Sequence, residues 1–380
     1  MDINCENIMK VYNLLADEES KAIFWDRLKY TTTGEKRYLL DAVIDGYTYN
    51  DTFANTTNVY LAELFKKIIV TKEECEIAIF GASDKAMTIA ELLYEFGFLD
   101  EEMTNVNCYY VDNDSLKWDT DFGWHNPNMY MHVYNPEKLR NRNKKVYVFI
   151  AVNTFSNDKR ITGQLVEYGI DKNDICHSLI ACEYFLGEMY LAEDIMKPVK
   201  GDVFCDIGAY DMYNTEKFVK WNPNYGQVYA FEADPVSFEK CKRKQLGEKV
   251  DVYNLGVWSC KSQLAFESAP NGEFGGSRIN ENGKQLVDTV ALDEFLGDQK
   301  VDIIKMDIEG AELEALKGAH RLIEINKPSL TISIYHKPTD IIELPLYVCS
   351  INPDYRIYLR HHTYGIFDTV MYAIDKNRVK

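Results

Sequence analysis

The sequence predicts an α/β protein: two Rossmann-like halves in succession behind a helical N-terminal segment. Three observations predict it. Short buried-type strands alternate with amphipathic helices twice along the chain. The leading strand of each half runs into a glycine (EIAIFG, DVFCDIG), and the next strand closes on acidic residues (YYVDND, YAFEAD). Between the halves, GEMYLAEDIMKPVKGD is interrupted by Pro198 and Gly201.

Residues 1–70 read as helical, because ESKAIFWDRLKY, YLLDAVIDGY and residues 60–69 space apolar side chains at the helical period. Residues 71–185 read as a small Rossmann-like domain. EIAIFGAS is a strand, AMTIAELLYEFG a helix and NVNCYYVDND a strand; VYNPEKL and KKVYVFIAV continue the alternation, and ITGQLVEYGI is a helix. Residues 186–380 read as a larger α/β domain, expected to fold alone. Its order is strand DVFCDIG, helix TEKFVKW, strand QVYAFEAD, helix VSFEKCKRKQLG, strand VDVYNLGV and short helix LDEFL. Strand VDIIKMDIEG, helix AELEALKGAHRLIE, strand SLTISIYHK and helix IIELPLYVCSI follow, and YRIYLRHH with DTVMYAID form a terminal strand pair.

Composition bounds the function. The chain has 380 residues, 46% hydrophobic and 27% charged, as an ordinary globular protein has. A formal net charge of -18 argues against a broad nucleic-acid face, which would be basic. No apolar run approaches the roughly 20 residues of a membrane span, and MDINCENIMK is no secretory signal. The 9 cysteines form no CxxC pair, so they predict neither a zinc site nor a disulfide framework, and a cytoplasmic location is expected.

Candidate binding residues sit at strand ends. In DVFCDIGAYDMYNT, Gly208 permits a tight turn and close approach of a ligand, and Asp206 can meet an ammonium group directly or through water. Ala209 and Tyr210 continue that loop. In YAFEADP, Glu232 can accept hydrogen bonds from both ribose hydroxyls, with Ala233 beside it. In VYNLGVW, Asn254, Leu255 and Gly256 lie where a base would fall, though an Asn in a turn is common without one. In VDIIKMDIEGAE, Asp307 and Glu309 end a strand and Lys305 shares a face with Asp307. Lys305 and Asp307 could instead merely pair, with Glu309 favouring the helix start.

In this order the motifs resemble the FkbM-type methyltransferase family. The resemblance spans about 200–375 and rests on DIGAYDMYNT, FEADP, VALDEFL, DIIKMDIEGAELEALKGA, SIYHK and the closing RHH and TVMYA. It implies a class I methyltransferase fold with a seven-stranded sheet whose last strand is antiparallel, and S-adenosylmethionine as cofactor. The family usually has another glycine where Met212 stands. The N-terminal AIFGAS–VDND half is loosely similar to nucleotide-binding modules found beside carbohydrate-modifying enzymes. There Gly81 could approach a phosphate and Asp112 a ribose, or the module could bind nothing.

The expected reaction is O-methylation of a small-molecule or glycan acceptor, a sugar or glycan precursor hydroxyl, with no nucleic-acid partner and no membrane span; a homodimer is compatible with the sequence. A hydroxyl acceptor needs a base. His336, past SLTISIY, is the leading candidate; Asp307 is second, and Glu309 and Lys305 complete the catalytic set. His361 and His362 alternate, so at most one faces a given pocket. Asp307, Glu309 and His336 could hold a divalent cation, as in metal-dependent O-methyltransferases, but no spacing signature demands it and no metal is expected. Gly275 and Gly276 in EFGGSRIN could form a loop over the acceptor or a plain hairpin turn. Two other functions compete: an NAD-dependent oxidoreductase or epimerase, and a non-catalytic nucleotide-binding protein with a methyltransferase fold.

Overall fold

The computed structural model describes residues 3–47, 53–100, 103–123, 127–152, 154–177, 189–268, 277–376 and 378. Gly275 and Gly276 lie outside them. The chain divides into two compact units. One comprises Lys29–Gly187 with Thr363–Ile366; the other comprises Met1–Leu28, Glu188–His362 and Phe367–Lys380. The helical segment read as 1–70 is thus divided, with residues up to Leu28 belonging to the C-terminal unit. No helix among the described residues is long and apolar enough to cross a membrane.

The first unit is built on a six-stranded sheet of order β3-β4-β2-β1-β5-β6. Its strands are β1 (Cys75–Phe80), β2 (Val106–Val111), β3 (Thr120–Phe122), β4 (Met131–Tyr134), β5 (Lys145–Ile150) and β6 (Ile175–His177). All pairings are parallel except β3 with β4. β1 is central and almost wholly buried, which is why its sequence is a run of apolar residues and not an alternation.

The second unit carries a seven-stranded sheet of order β16-β17-β15-β14-β7-β8-β9. The strands are β7 (Val203–Ile207), β8 (Gln227–Phe231), β9 (Val250–Tyr253), β14 (Ile303–Met306), β15 (Ser329–Ser333), β16 (Tyr355–His361) and β17 (Thr369–Asp375). β17 is antiparallel to both of its neighbours, and the remaining pairings are parallel. In a second sheet of order β10-β13-β11-β12, formed by β10 (Gly256–Val257), β11 (Ser262–Glu267), β12 (Arg278–Ile279) and β13 (Gln285–Val290), β10 falls within the strand read as VDVYNLGV and β12 within EFGGSRIN, whereas β11 and β13 were not expected. β11 and β13 are only partly buried, so their pattern is weak.

The expected single helix AELEALKGAHRLIE is two, Glu312–Lys317 and His320–Asn326. A Cβ at Gly318 would overlap the Trp258 carbonyl, so another segment approaches the backbone at the break. The Asp293 carboxylate then accepts from the Arg321 and Leu322 amides at 3.0 and 2.8 Å, satisfying orphan donors of the second helix. Residues 1–28 close one side of this unit. Val11, Leu15, Ile23, Phe24 and Leu28 share a core with β14, β15 and β16, and Leu15 bridges Ile357 on the edge strand β16.

Candidate active site

β7 and β14 are sheet neighbours far apart in sequence, and the connections from them depart in opposite directions along the sheet. Ligands of open α/β sheets bind at such a switch point, beyond the carboxyl ends of the strands. The register aligns Lys305 with Asp206 and Met306 with Ile207, so the loops 208–212 and 307–311 leave the sheet together. Gly208 has φ +80°, and a Cβ there would overlap the Asp307 carbonyl oxygen. Two loops crossing this closely admit only glycine.

Asp206 is fully buried. Its Oδ2 accepts from Thr215 Oγ1 at 2.6 Å, and its Oδ1 lies 3.1 Å from Lys305 Nζ. Lys305, also buried, donates to the Gly208 carbonyl at 2.6 Å. The Lys305–Asp307 pair considered from the sequence is therefore replaced by a Lys305–Asp206 pair across adjacent strands. A lysine so enclosed supports the loop.

Glu232 follows β8 and is buried. Its Oε2 accepts from the Tyr210 amide at 2.7 Å and its Oε1 from the Asp234 amide at 2.8 Å. Burial raises its pKa against these bonds and the nearby Lys305 charge. Tyr210 (φ +51°) and Met212 (φ +68°) are left-handed without being glycine. Met212 is buried against Ala209, Ala230 and Cys241. Asn254, after β9, donates to the carbonyls of Glu232 and Ala233 at 2.9 and 3.1 Å, so its amide ties two strand ends together. Leu255 is half-buried and Gly256 buried, packed against Thr289 and Ala233.

Beyond β14 and β15 a second group converges. His336 Nδ1 is 2.9 Å from Glu312 Oε1; its Nε2 is 3.5 Å from Asp307 Oδ1 and 3.6 Å from Glu309 Oε2. Burial lowers the imidazole pKa, but the three carboxylates outweigh it and push it up to about 9. Tyr335 donates to Asp307 Oδ1 at 3.3 Å. Glu309 is left-handed (φ +55°), and Gly310 (φ +93°) turns the chain onto His336. Both ring nitrogens of His336, the leading base expected from the sequence, face carboxylates. His361 Nδ1 bonds Thr369 Oγ1 and His362 Nε2 bonds Tyr372 OH, each at 2.9 Å, within the terminal strand pair.

Glu312, Thr215 and Tyr335 were not singled out by sequence reasoning. Glu312 and Thr215 stand inside the quoted DIEGAE and DMYNT runs, where their partners across the sheet are invisible. In the first unit, Asp112 accepts from the Ala82 and Asp114 amides and Lys117 Nζ, each at 2.9 Å. A Cβ at Gly81 (φ +112°) would crowd the Ala151 carbonyl, so backbone packing already accounts for that glycine.

Residues 206–365 match the family model for the methyltransferase FkbM domain. The hexuronic acid methyltransferase AglP of Haloferax volcanii is 28% identical over 123 residues, 31% of this chain and 52% of that protein. The chain thus spans about half the length of that curated relative. Among solved structures, methyltransferase FkbM from Methylobacillus flagellatus KT is 17% identical, covering 88% of this chain and 98% of that one, with a TM-score of 0.48. Aeropyrum pernix fibrillarin in complex with natively bound S-adenosyl-L-methionine is 10% identical, covering 46% and 67%, with a TM-score of 0.30. The match to the methyltransferase FkbM domain falls on the strand ends described above.

Proposed function

We propose that the protein is an S-adenosylmethionine-dependent methyltransferase that O-methylates a hydroxyl of a sugar or glycan precursor. The observation that carries the reading is the coincidence of the matched family domain with three acid- or amide-bearing strand ends around the β7–β14 switch point. The sheet order and the antiparallel β17 agree with the class I methyltransferase fold that the family resemblance implies. The similarity to the hexuronic acid methyltransferase of Haloferax volcanii supports a sugar acid or related carbohydrate as acceptor.

The donor set fits the cofactor. Glu232 retains an acceptor lone pair on each oxygen beyond its two amide bonds and suits a ribose diol. Asp206 Oδ1, 3.1 Å from Lys305 Nζ, lies at the loop that would face an ammonium group. Asn254, Leu255 and Gly256 border the place of a base, with Ala209, Tyr210 and Ala233 lining the loops. Bound S-adenosylmethionine supplies a sulfonium methyl group and leaves as a neutral thioether.

What remains for the chain is to hold the acceptor in line, exclude water and take a proton. Asp307 and Glu309 are 27% and 31% exposed, so an acceptor hydroxyl can reach them. The hydroxyl proton passes to this carboxylate pair as its oxygen attacks. His336 and Tyr335 hold the pair from behind. Calorimetry with S-adenosylhomocysteine, NAD and a nucleotide sugar tests the reading, followed by release of S-adenosylhomocysteine against sugars, uronic acids and glycolipid precursors. Binding of S-adenosylhomocysteine and turnover of a carbohydrate are expected. Binding of NAD alone would overturn the reading in favour of an oxidoreductase.

A further inference from the structure

One exposed aromatic side chain stands beside the candidate site and has no part in the steps above. β15 ends at Ser333, which pairs with Val370 on β17, so Tyr335 and Phe367 both lie just past the carboxyl end of β15. Their rings meet edge to face, with centroids 5.9 Å apart and planes at 87°. The Tyr335 hydroxyl donates to Asp307 Oδ1 at 3.3 Å. Phe367 therefore stands one ring away from a carboxylate offered to the acceptor. Asp368, left-handed at φ +55°, turns the chain directly after it. Phe367 remains 54% exposed. A large apolar side chain left open beside convergent polar groups suits a ligand ring. The negative face of an aromatic ring attracts positively polarised C–H bonds, such as those on the face of a pyranose.

The charge around this platform is one-sided. The charges bearing most on the Tyr335 hydroxyl are Asp307, Asp368 and Glu309, and Asp307 and Asp368 also act on Tyr190. Lys305 is committed to Asp206 and the Gly208 carbonyl. Lys337 donates to the Gly310 carbonyl, and His336 lies 2.9 Å from Glu312. Four carboxylates, with Glu312, thus stand against a protonated His336 and Lys337. The sulfonium of bound cofactor offsets one more charge, and the balance stays negative. An anionic sugar entering here loses hydration and is repelled. A neutral sugar instead donates its hydroxyls to carboxylates that can only accept.

We propose that the acceptor ring is an uncharged pyranose, with its apolar face laid on Phe367 and its hydroxyls donating to Asp307 and Glu309. Phe367 is then a specificity-determining residue, and rings bearing a carboxylate or phosphate are poor acceptors. The proposal rests on the carbohydrate methyl-transfer reading, which it narrows from sugars and sugar acids to neutral rings.

The test is saturation-transfer nuclear magnetic resonance on the full chain with S-adenosylhomocysteine present. The probes are methyl glycosides of the gluco, galacto and manno series, each matched with its methyl glycosiduronate. At least one neutral glycoside should bind about tenfold or more tightly than its uronate. Phe367→Ala should weaken that glycoside about fivefold or more, and Phe367→Tyr should restore it. Glu309→Gln and Asp368→Asn should each narrow the gap between glycoside and uronate by about threefold or more. Circular dichroism checks each fold; if Phe367→Ala unfolds, Phe367→Leu decides. Three results overturn the proposal: no neutral glycoside binds, a uronate binds as well as its glycoside, or the folded Phe367 variant stays within about twofold of wild type. Calorimetry with S-adenosylhomocysteine separates the two readings. If it binds and the glycosides do not, the acceptor proposal fails alone. If a glycoside binds through Phe367 and S-adenosylhomocysteine does not, the methyl-transfer reading fails alone.

Discussion

Glu232 spends one lone pair of each oxygen on the amides of Tyr210 and Asp234, and so shapes the loop that its remaining lone pairs would serve. Glu232→Ala removes both anchors and both ribose bonds at once, each worth about 1.5–3 kcal/mol when charge-assisted. S-adenosylhomocysteine affinity should fall about a hundredfold or more in calorimetry, with Glu232→Gln intermediate because an amide can still accept one bond. Met212 poses the opposite question, since it occupies a left-handed position where the family usually has glycine. A non-glycine residue there costs about 1–2 kcal/mol, but the side chain is buried in an apolar cluster, and truncating such a methionine costs about 2–5 kcal/mol. Packing wins, so Met212→Gly should destabilise the protein in urea unfolding despite relieving the backbone. A gain in stability would mean that the side chain contributes less than its burial implies. The departure from glycine is thus compensated locally, which weakens it as a sign of a lost cofactor loop.

At the scale of elements, legibility followed burial. β14 and β15 are buried along their whole length; β14 is apolar apart from Lys305, and β15 sets Leu330 and Ile332 between small polar residues. The lysine inside β14 was readable as unusual, but its partner Asp206 lies on the neighbouring strand and only the register reveals it. The split at Gly318 was hidden for the same reason, because Trp258 comes from a distant segment. The helix Glu18–Thr33 presents a further long-range tie. Arg360 on β16 meets Asp17 at 2.9 Å, Glu19 at 3.2 Å and Asp194 at 3.2 Å. Burial, reinforced by Asp17 and Asp194, raises the Glu19 pKa to about 7 against the Arg360 charge, whereas bonds to Arg360 and Ser20 overcome burial and lower that of Asp17. An acid raised in the fold is favoured protonated. Its contribution is therefore present below the unfolded value near 4.5 and is lost as pH climbs through about 7. Relative to Glu19→Gln, the wild type should lose on the order of 3 kcal/mol across that window, at about 1.4 kcal/mol per pKa unit. Denaturation of both proteins at pH 4.5, 6 and 8 reads the difference. A constant difference would show that Glu19 ionises freely beside Arg360.

For the whole molecule, a domain read from the sequence as 186–380 omits part of its own core. An amphipathic helix declares that it has an apolar face, but not which segment covers that face. Residues 1–70 therefore read as one helical piece, whereas those up to Leu28 belong with the C-terminal unit. Val11, Leu15, Ile23, Phe24 and Leu28 are each 5% exposed or less in the core shared with β14, β15 and β16. Fully burying such a side chain contributes about 1.5–3 kcal/mol. Together the five approach the whole stability of an ordinary domain, about 5–15 kcal/mol. Removing residues 1–28 also strips Leu15 from the β16 edge and leaves Arg360 without Asp17 and Glu19. A chain beginning at residue 186 should therefore be molten or aggregated, with weak near-ultraviolet dichroism. Phe24→Ala in the full chain should cost about 3–5 kcal/mol. Restoring residues 1–28 as a separate peptide should sharpen the dichroism of the 186–380 fragment, since the missing core is then supplied in trans. A fragment that melts cooperatively without the peptide would instead show that the sheet and its own helices suffice, and that residues 1–28 pack on a core already closed.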